Sequence, residues 1–442
     1  MVTELVKSEN HYQNAFRSVR ESSPTVPWLE LVRSGAIDRF EQIGFPTVRE
    51  EEFKYTNLAQ LAKESFQPAV SPVDFVDANL ARYAYPETKD AHLVVVNGFL
   101  RDDLSTRNGL DQIVAIDIFS AVADARYNKI ARKYLARNAN YHDNGLKALN
   151  TAFLQSGVFL WIPKNVNLER PLQITFLSDA TAVKGASFPR LLVVAEENSS
   201  ATLIESFVSN GDESHFTNAI AEIVLKDGAR LEHYRLQNEN RSGYHIATTA
   251  AELGRASSYD ATSINLGGQL ARHDISVVMD HEGAECWVDG LYVAGAGQHT
   301  DTHSVIDHKQ PYCNSHQLYK GILDGNARAV FNGKIFVREG AQKTDAMQTN
   351  KNLLLSPQAR VDTKPQLEIY ADDVKCAHGA AVGQIDEEEL FYLQARGLNH
   401  ELGRSLLTYG FAEEVIGKIK IESIRSQLDE VVLTHLHTRL EA

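Results

Sequence analysis

The chain has 442 residues, of which 43% are hydrophobic and 23% charged, proportions typical of a soluble globular protein. Its 44 basic and 58 acidic side chains give a net charge of −14, which argues against nucleic-acid binding and against a general affinity for anionic membranes. Three widely spaced cysteines and an N-terminus without a signal-peptide pattern predict a protein of the reducing cytoplasm.

Residues 1–150 are predicted to form a mostly helical N-terminal domain. Apolar residues between Trp28 and Ile43 recur at helical spacing. The motif GFPTVREEEFKYTNL, which begins at Gly44, predicts a polar turn and then a short helix. One strand, residues 93–96, interrupts this region and ends at an Asn-Gly turn.

Residues 151–385 are predicted to form a β-rich core. Short runs rich in strand-forming residues cover residues 173–177, 191–194 and 222–225, and turn residues separate them. No long segment with helical periodicity lies between them, so a βαβ architecture is not expected.

A weak internal repeat runs through the first part of this core. Four similar runs begin at Ala201, Ala229, Ala256 and Ala284, at intervals of 28, 27 and 28 residues. A fixed period in this range indicates units that bury their apolar faces by stacking on their neighbours. The repeat therefore favours a β-helix, and a β-sandwich with regular turn spacing is the alternative.

Residues 386–442 are predicted to form a helical C-terminal domain. Asp386 and Glu389 have the spacing of a capping box, and Asn399 is placed to cap a second helix. An apolar stripe marks the last helix, which packs on its own domain or on a partner: Ile424, Leu428, Val431, Val432, Leu436 and Leu440.

Nucleotide-binding and hydrolase motifs are missing from the sequence: there is no phosphate loop, no complete dinucleotide fingerprint, no GxSxG and no HExxH. Four residues have side chains that bind metals: His303, His308, Cys313 and His316. Strand alternation places His303 and His308 on different faces, which argues against a metal site made from these four alone.

Cys376 and His378 are better placed, because residues two apart in a strand point to the same face. Thiolate and imidazole suit iron and iron-sulfur clusters. Two groups cannot complete a cluster's coordination, so further ligands would have to come from elsewhere, such as another chain. The alternative is a small buried cysteine beside a hydrogen-bonded histidine.

Residues 325–398 carry a family resemblance. They read GNARAVFNGKIFVREGAQKTDAMQTNKNLLLSPQARVDTKPQLEIYADDVKCAHGAAVGQIDEEELFYLQARGL, and this stretch resembles the SufB/SufD family of the SUF iron-sulfur cluster assembly system. The motif from Gly44 resembles the family's N-terminal motif. The resemblance implies a mainly β fold, a right-handed parallel β-helix between N-terminal and C-terminal helical regions.

The resemblance also implies a role and partners. It implies a scaffold subunit, not an enzyme, that works with SufB and the SufC ATPase, with SufC docked on the C-terminal helices. Any iron-sulfur cluster would be held transiently in the complex, not stably by this chain. The chain alone is a candidate homodimer.

Two departures from the SufB pattern point to the SufD branch of the family. Asn350 stands where SufB-type chains carry a cluster-building cysteine, and Gly379 stands where they carry a glutamate. His378 matches a histidine proposed to meet the SufB cysteine at the subunit interface, and Cys376 matches a neighbouring family cysteine. The alternatives are a self-sufficient SufB-like scaffold and, from another class, a carbohydrate-active β-helix enzyme.

The run LEIYADDV at residues 367–374, just before Cys376, is predicted to lie at a subunit interface. A β-helix ends in unpaired strand edges, which must be covered, charged or paired.

Overall fold

The structure is a computed structural model that describes residues 2–22, 26–73, 75, 80–181 and 184–437. Helices dominate both ends of the chain and strands its middle. The helices are α1 (Val2–Ser22), α2 (Pro27–Ile43), α3 (Ala59–Lys63), α4 (Ile118–Ala123), α5 (Asn128–Tyr134), α6 (Gly145–Ala152), α7 (Glu387–Ala395), α8 (His400–Ile416) and α9 (Glu422–His437).

The strands up to residue 225 are β1 (Gln67–Pro68), β2 (Ala91–Val96), β3 (Phe99–Leu100), β4 (Thr106–Arg107), β5 (Val114–Asp117), β6 (Val158–Ile162), β7 (Leu172–Asp179), β8 (Gly185–Ser187), β9 (Arg190–Ala195), β10 (Ser200–Asn210) and β11 (Phe216–Leu225). The remaining strands are β12 (Arg230–Asn238), β13 (Tyr244–Leu253), β14 (Ser258–Asn265), β15 (Leu270–Met279), β16 (Glu285–Ala294), β17 (His299–His308), β18 (Asn314–Leu323), β19 (Arg328–Val337), β20 (Asp345–Leu354), β21 (Arg360–Ile369) and β22 (Lys375–Gly383).

Successive strands alternate between two parallel sheets that wind into a β-helix of about seven turns. Sheet A runs in the order β21-β19-β17-β15-β13-β11-β9-β6-β5, and sheet B in the order β22-β20-β18-β16-β14-β12-β10-β7-β2-β3. The predicted β-helix is confirmed. Strands β2 and β5 of residues 1–150 join these same sheets, and the division into domains at residues 150 and 385 stays a prediction.

The internal repeat corresponds to successive turns of this β-helix. Its four runs coincide with β10, β12, β14 and β16, which are neighbours in sheet B. Ser200 pairs with Arg230, Arg230 with Ser258 and Ser258 with Glu285. Each turn contributes a second strand to sheet A, which the repeat did not identify.

Side chains alternate between the interior of the β-helix, here called the lumen, and the outer faces of the sheets. The lumen is filled by the main apolar core, which includes Leu203, Ile223 and Val277. Both outer faces are also partly covered. Helices of the N-terminal region pack aromatic side chains on sheet A, and α8 and α9 cover Ile204, Leu236 and Ile322 and their neighbours on sheet B.

Several local predictions agree with these elements. Helix α2 spans the predicted helical segment. The strand predicted at residues 93–96 forms the last four residues of β2. The Asp386 carboxylate accepts the backbone N–H groups of Glu388 and Glu389, and Asn399 caps α8 through Leu402. After the predicted turn, the N-terminal motif forms a 3-10 turn at Glu51–Phe53, which is shorter than the predicted helix.

The C-terminal stripe packs on the chain itself. Ile424, Leu428 and Val432 are buried against the outer face of sheet B. Leu440 lies outside the described residues, as does the side chain of Leu436. In the described segments no helix combines the length and the apolar character needed to cross a membrane.

Candidate functional site

The last turn of the β-helix leaves two strand edges open. Among the described residues, no strand pairs with the outer edge of β21 or of β22. The Lys375 N–H donates at 2.8 Å to the carbonyl of Thr344, the residue just before β20. Because backbone groups alternate in direction along a parallel strand, the amides of Cys376, His378, Ala380 and Val382 face the open edge.

The two strands differ in how well their edges are protected. Strand β21 carries Pro365 and four charged side chains, features that discourage edge-to-edge pairing. Strand β22, KCAHGAAVG, has only Lys375 as a permanent charge and consists largely of small residues. The edge of β22 is therefore the better template for an additional strand.

Cys376 and His378 lie on the inward face of β22, at the open mouth of the lumen. In register, Cys376 lies beside Ala346 and His378 beside Gln348 of β20. Ala346 is fully buried in the main core, whereas Met347, on the other face, is 42% exposed. Cys376 is half-buried against the core and His378 is exposed, because no further turn covers it.

The two side chains are not equivalent as ligands. Burial, reinforced by the negative charge of Asp345, raises the pKa of the Cys376 thiol. A raised pKa disfavours the thiolate, which is the form that binds metals and attacks electrophiles. The imidazole of His378 is therefore the more available donor at this mouth.

Asn350, which the resemblance matches to a cysteine of SufB-type chains, lies inside the lumen. It is fully buried, and its amide nitrogen donates to the Tyr292 hydroxyl and to the Tyr319 carbonyl, both at 3.2 Å. In register it pairs with Ala380, one inward position beyond His378. A side chain at position 350 is thus one strand deeper than the open mouth, and here it has a structural hydrogen-bonding role.

The four candidate metal ligands between His303 and His316 do not come together in the structure. His303 lies on the outer face of sheet A, where Glu52 and Asp301 flank it, and the His308 ring bonds Ser315 at 2.8 Å. Cys313 donates to the His281 carbonyl, and His316 stacks on Trp287 with 4.2 Å between ring centroids. Over the described residues, no group of three or more His, Cys, Asp or Glu side chains is arranged to hold a metal ion.

His303 belongs to a charged cluster that attaches the N-terminal motif to sheet A. Its two ring nitrogens lie 3.0 Å from Glu52 and 3.0 Å from Asp301. Arg272 pairs with Asp301 at 2.5 Å and donates to the Glu52 carbonyl at 2.9 Å. Thr56 donates to Asp301 at 2.6 Å. These contacts hold the segment from Glu52 to Thr56 against β15 and β17.

Two aromatic and two leucine side chains are exposed on helices α7 and α8. Phe391 and Tyr392 of α7 are 71% and 59% exposed, and Leu402 and Leu406 of α8 are nearly half exposed. Clustered exposed apolar residues mark interaction surfaces. This group of four residues is called the α7–α8 patch below.

Sequence reasoning missed the cluster around His303 and the polar residues that line the lumen beneath His378. Spacing of two within a strand indicates a shared face, but it does not identify that face as the lumen. It also cannot identify which residue of the preceding turn lies beside His378.

Comparisons with known proteins agree with the resemblance described above. The family model described as "SUF system FeS cluster assembly, SufBD core domain" matches residues 176–411, and the one described as "SufBD protein N-terminal region" matches residues 6–174. An iron-sulfur cluster assembly SufBD family protein of Synechocystis is 35% identical over 408 residues, which cover 90% of this chain and 89% of the relative.

Two further relatives are named iron-sulfur cluster assembly protein SufD. The Escherichia coli protein is 32% identical over 395 residues, with 87% of this chain and 88% of the relative covered. The Bacillus subtilis protein is 28% identical over 434 residues, with 95% and 97% covered.

Proposed function

Because the chain belongs to the SufBD family of iron-sulfur cluster assembly proteins, we propose that it is a SufD-like scaffold subunit and not an enzyme. It pairs with SufB through the open end of its β-helix and docks the SufC ATPase on its C-terminal helices. Alone, the same open end pairs with a second copy of the chain. The cytoplasmic location expected from the sequence stays a prediction.

The open edge of β22 carries this proposal. A partner strand that pairs there would satisfy the outward-facing amides from Cys376 to Val382. The same pairing would bring the partner's end against the lumen mouth, where His378 is exposed. Ligands from two chains would then meet around one enclosed space.

His378 would supply one ligand to a cluster in transit. One imidazole, with a half-buried thiol beside it, does not complete the coordination of a cluster. The isolated chain therefore holds no cluster stably, and the partner provides the remaining ligands. An imidazole binds iron only through a ring nitrogen that carries no proton.

The α7–α8 patch supports the docking of SufC. Its four apolar side chains are exposed in this chain, and their burial against a partner would be favourable. The patch lies on helices whose other side packs on the β-helix, so a docked ATPase would be coupled to the β-helix through α8.

Replacement of His378 by alanine tests the proposal. The side chain is exposed, so His378→Ala is expected to fold normally. Cluster yield in the co-expressed complex should fall by about tenfold or more, since even the loss of a residue that orients a ligand costs roughly that much.

His281→Ala is the matched control, because His281 is an exposed histidine in the turn after β15. The readout is iron and acid-labile sulfide per complex after anaerobic purification. Wild-type cluster content in a normally assembled His378→Ala complex would refute the role of His378.

A further inference from the structure

Three polar side chains form a hydrogen-bonded row inside the lumen that ends beneath His378. The Gln317 amide nitrogen of β18 donates to the Ser304 hydroxyl of β17 at 2.7 Å. The Gln348 amide nitrogen of β20 donates to the Gln317 carbonyl oxygen at 2.6 Å. All three side chains are at least 97% buried. The row is therefore fixed by its own hydrogen bonds and by the packing around it.

In this row each glutamine donates through its amide nitrogen to the preceding side chain, so the amide oxygen of the last glutamine, Gln348, receives no hydrogen bond from the row. Because the Gln348 nitrogen is committed to Gln317, its side-chain oxygen Oε1 has to find another partner. That oxygen is buried and has no hydrogen-bond partner among the described residues, His378 included. Buried polar atoms are nearly always paired, so an unpaired one calls for an explanation.

His378 is the next residue of this row. It pairs in register with Gln348 on the adjacent parallel strand, and both lie on the inward face. Side chains at such positions are direct neighbours in a parallel sheet. A neutral imidazole carries one N–H donor, which matches the single free acceptor.

Gly333 of β19 makes the space in which the Gln348 amide lies. A Cβ atom built at Gly333 would overlap the nitrogen and the carbon of that amide. On the next turn, Pro365 of β21 is the register partner of Gly333. The position of the amide is thus set by the absence of a side chain across the lumen.

We propose that Gln348 is a positioning residue for His378: when the exposed ring turns towards Gln348, Oε1 accepts the N–H of one ring nitrogen, which leaves the lone pair of the other nitrogen directed at the lumen mouth. The hydrogen bond selects one of the two neutral tautomers and orients the ring, as outer hydrogen-bond partners do for metal-binding histidines. This inference rests on the proposed function for its purpose, but the hydrogen bond itself is independent of any partner.

Nitrogen-15 NMR of the full chain with labelled histidine tests the hydrogen bond directly, with His378→Ala used to assign the signal. In the native protein one neutral tautomer of His378 should dominate. In Gln348→Leu, which keeps the bulk but removes the acceptor, the tautomer ratio should change about 3- to 10-fold, the effect of one net hydrogen bond. Gln348→Glu, which keeps an acceptor, should restore the native tautomer.

Gly333→Ala provides a second route, because it displaces the Gln348 amide without changing Gln348 or His378. Gly333→Ala should change the tautomer ratio in the same direction as Gln348→Leu. If Gln348→Leu fails to fold, Gly333→Ala is the variant that tests the positioning role. Gln366→Leu, on the outer side of β21, is the matched control and should leave the ratio unchanged. An identical ratio in the native protein and in the folded variants would overturn the positioning role.

Cluster yield in the co-expressed complex separates this inference from the proposed function. If both hold, Gln348→Leu lowers the yield and Gln348→Glu restores it. If the tautomer responds but His378→Ala leaves the yield unchanged, the hydrogen bond is real and the proposed function fails. If His378→Ala lowers the yield but the tautomer ratio of His378 is the same in the native protein and in Gln348→Leu, the positioning role is wrong and the proposed function stands.

Discussion

His303 shows how a single residue can couple the N-terminal motif to the β-helix. Burial alone would lower its pKa, but the charge of Asp301 and hydrogen bonds to Asp301 and Glu52 outweigh burial and raise the pKa to about 9. The same interactions, with Arg272, hold the pKa of the Asp301 carboxyl far below its ordinary value against the effect of burial. At neutral pH the cluster therefore contains a protonated imidazole between two carboxylates.

The free energy of unfolding should depend on the protonation of His303. Its pKa is raised on folding from 6.5 to about 9, so the stabilisation is complete below pH 6.5 and is lost as the pH rises towards 9 and above. The loss is on the order of 3 kcal/mol, the energy of a shift of this size. Denaturant unfolding at a series of pH values measures it.

His303→Gln removes the titrating group and should flatten this part of the profile. His281→Ala, which removes an exposed histidine, should leave the profile unchanged. If the native chain and His303→Gln lose stability in parallel between pH 6.5 and 9, His303 is not the group responsible.

At the scale of elements, the C-terminal helices have two different sides. Ile416, Ile424 and Leu428 are buried against sheet B, whereas the α7–α8 patch is exposed. Deletion of the chain after residue 385 would uncover the apolar face of sheet B along with removing the patch. Such a deletion cannot separate docking from folding, so substitutions on the exposed side are the sharper test.

The double substitution Phe391→Ala and Tyr392→Ala should weaken retention of SufC by about tenfold or more, as loss of large apolar side chains at the centre of an interface does. The melting temperature should hardly change, because both side chains are exposed. Pull-down of SufC by the tagged chain gives the measurement. Leu31→Ala is the control, since Leu31 of α2 is 75% exposed on a different surface. Equal retention by the double variant would place the docking site elsewhere.

At the scale of the whole molecule, the proposed assembly depends on the last turn, whose outer strand edges pair with no strand among the described residues. Odd-numbered residues of β22 direct their amides to β20, and even-numbered ones direct theirs to the open edge. Substitution by proline can therefore remove a donor on one side of the strand or on the other.

Ala380→Pro should abolish pairing with SufB, or with a second copy, while the fold is retained. It removes an amide that faces the open edge, and the preceding Gly379 tolerates proline better than other residues do. Ala381→Pro removes an amide directed to β20 and should instead destabilise the last turn. Light scattering of the purified complexes, with thermal unfolding of the chain alone, distinguishes the two effects. Intact assembly of Ala380→Pro would exclude edge pairing through β22.

The sequence by itself determined the local elements and their repetition. The period of about 28 residues identified four stacked strands of sheet B, and Asp386 and Asn399 marked the starts of two helices. Spacing of two placed Cys376 and His378 on one face of a strand. These features depend on neighbours in the chain, on turn residues and on backbone geometry, so they can be predicted without knowledge of the fold.

Only the tertiary structure decided which face of each strand is the lumen. All ten residues of β11 are buried, because helices cover the outside of sheet A while the core fills the inside. Hydrophobicity therefore does not alternate along β11, and the sequence pattern does not indicate which side chains point into the lumen. The register pairing of His378 with Gln348 and the hydrogen bond between His303 and Glu52 join residues 30 and 251 positions apart. Parallel register and long-range packing set such contacts, and neither is encoded in the local order of residues.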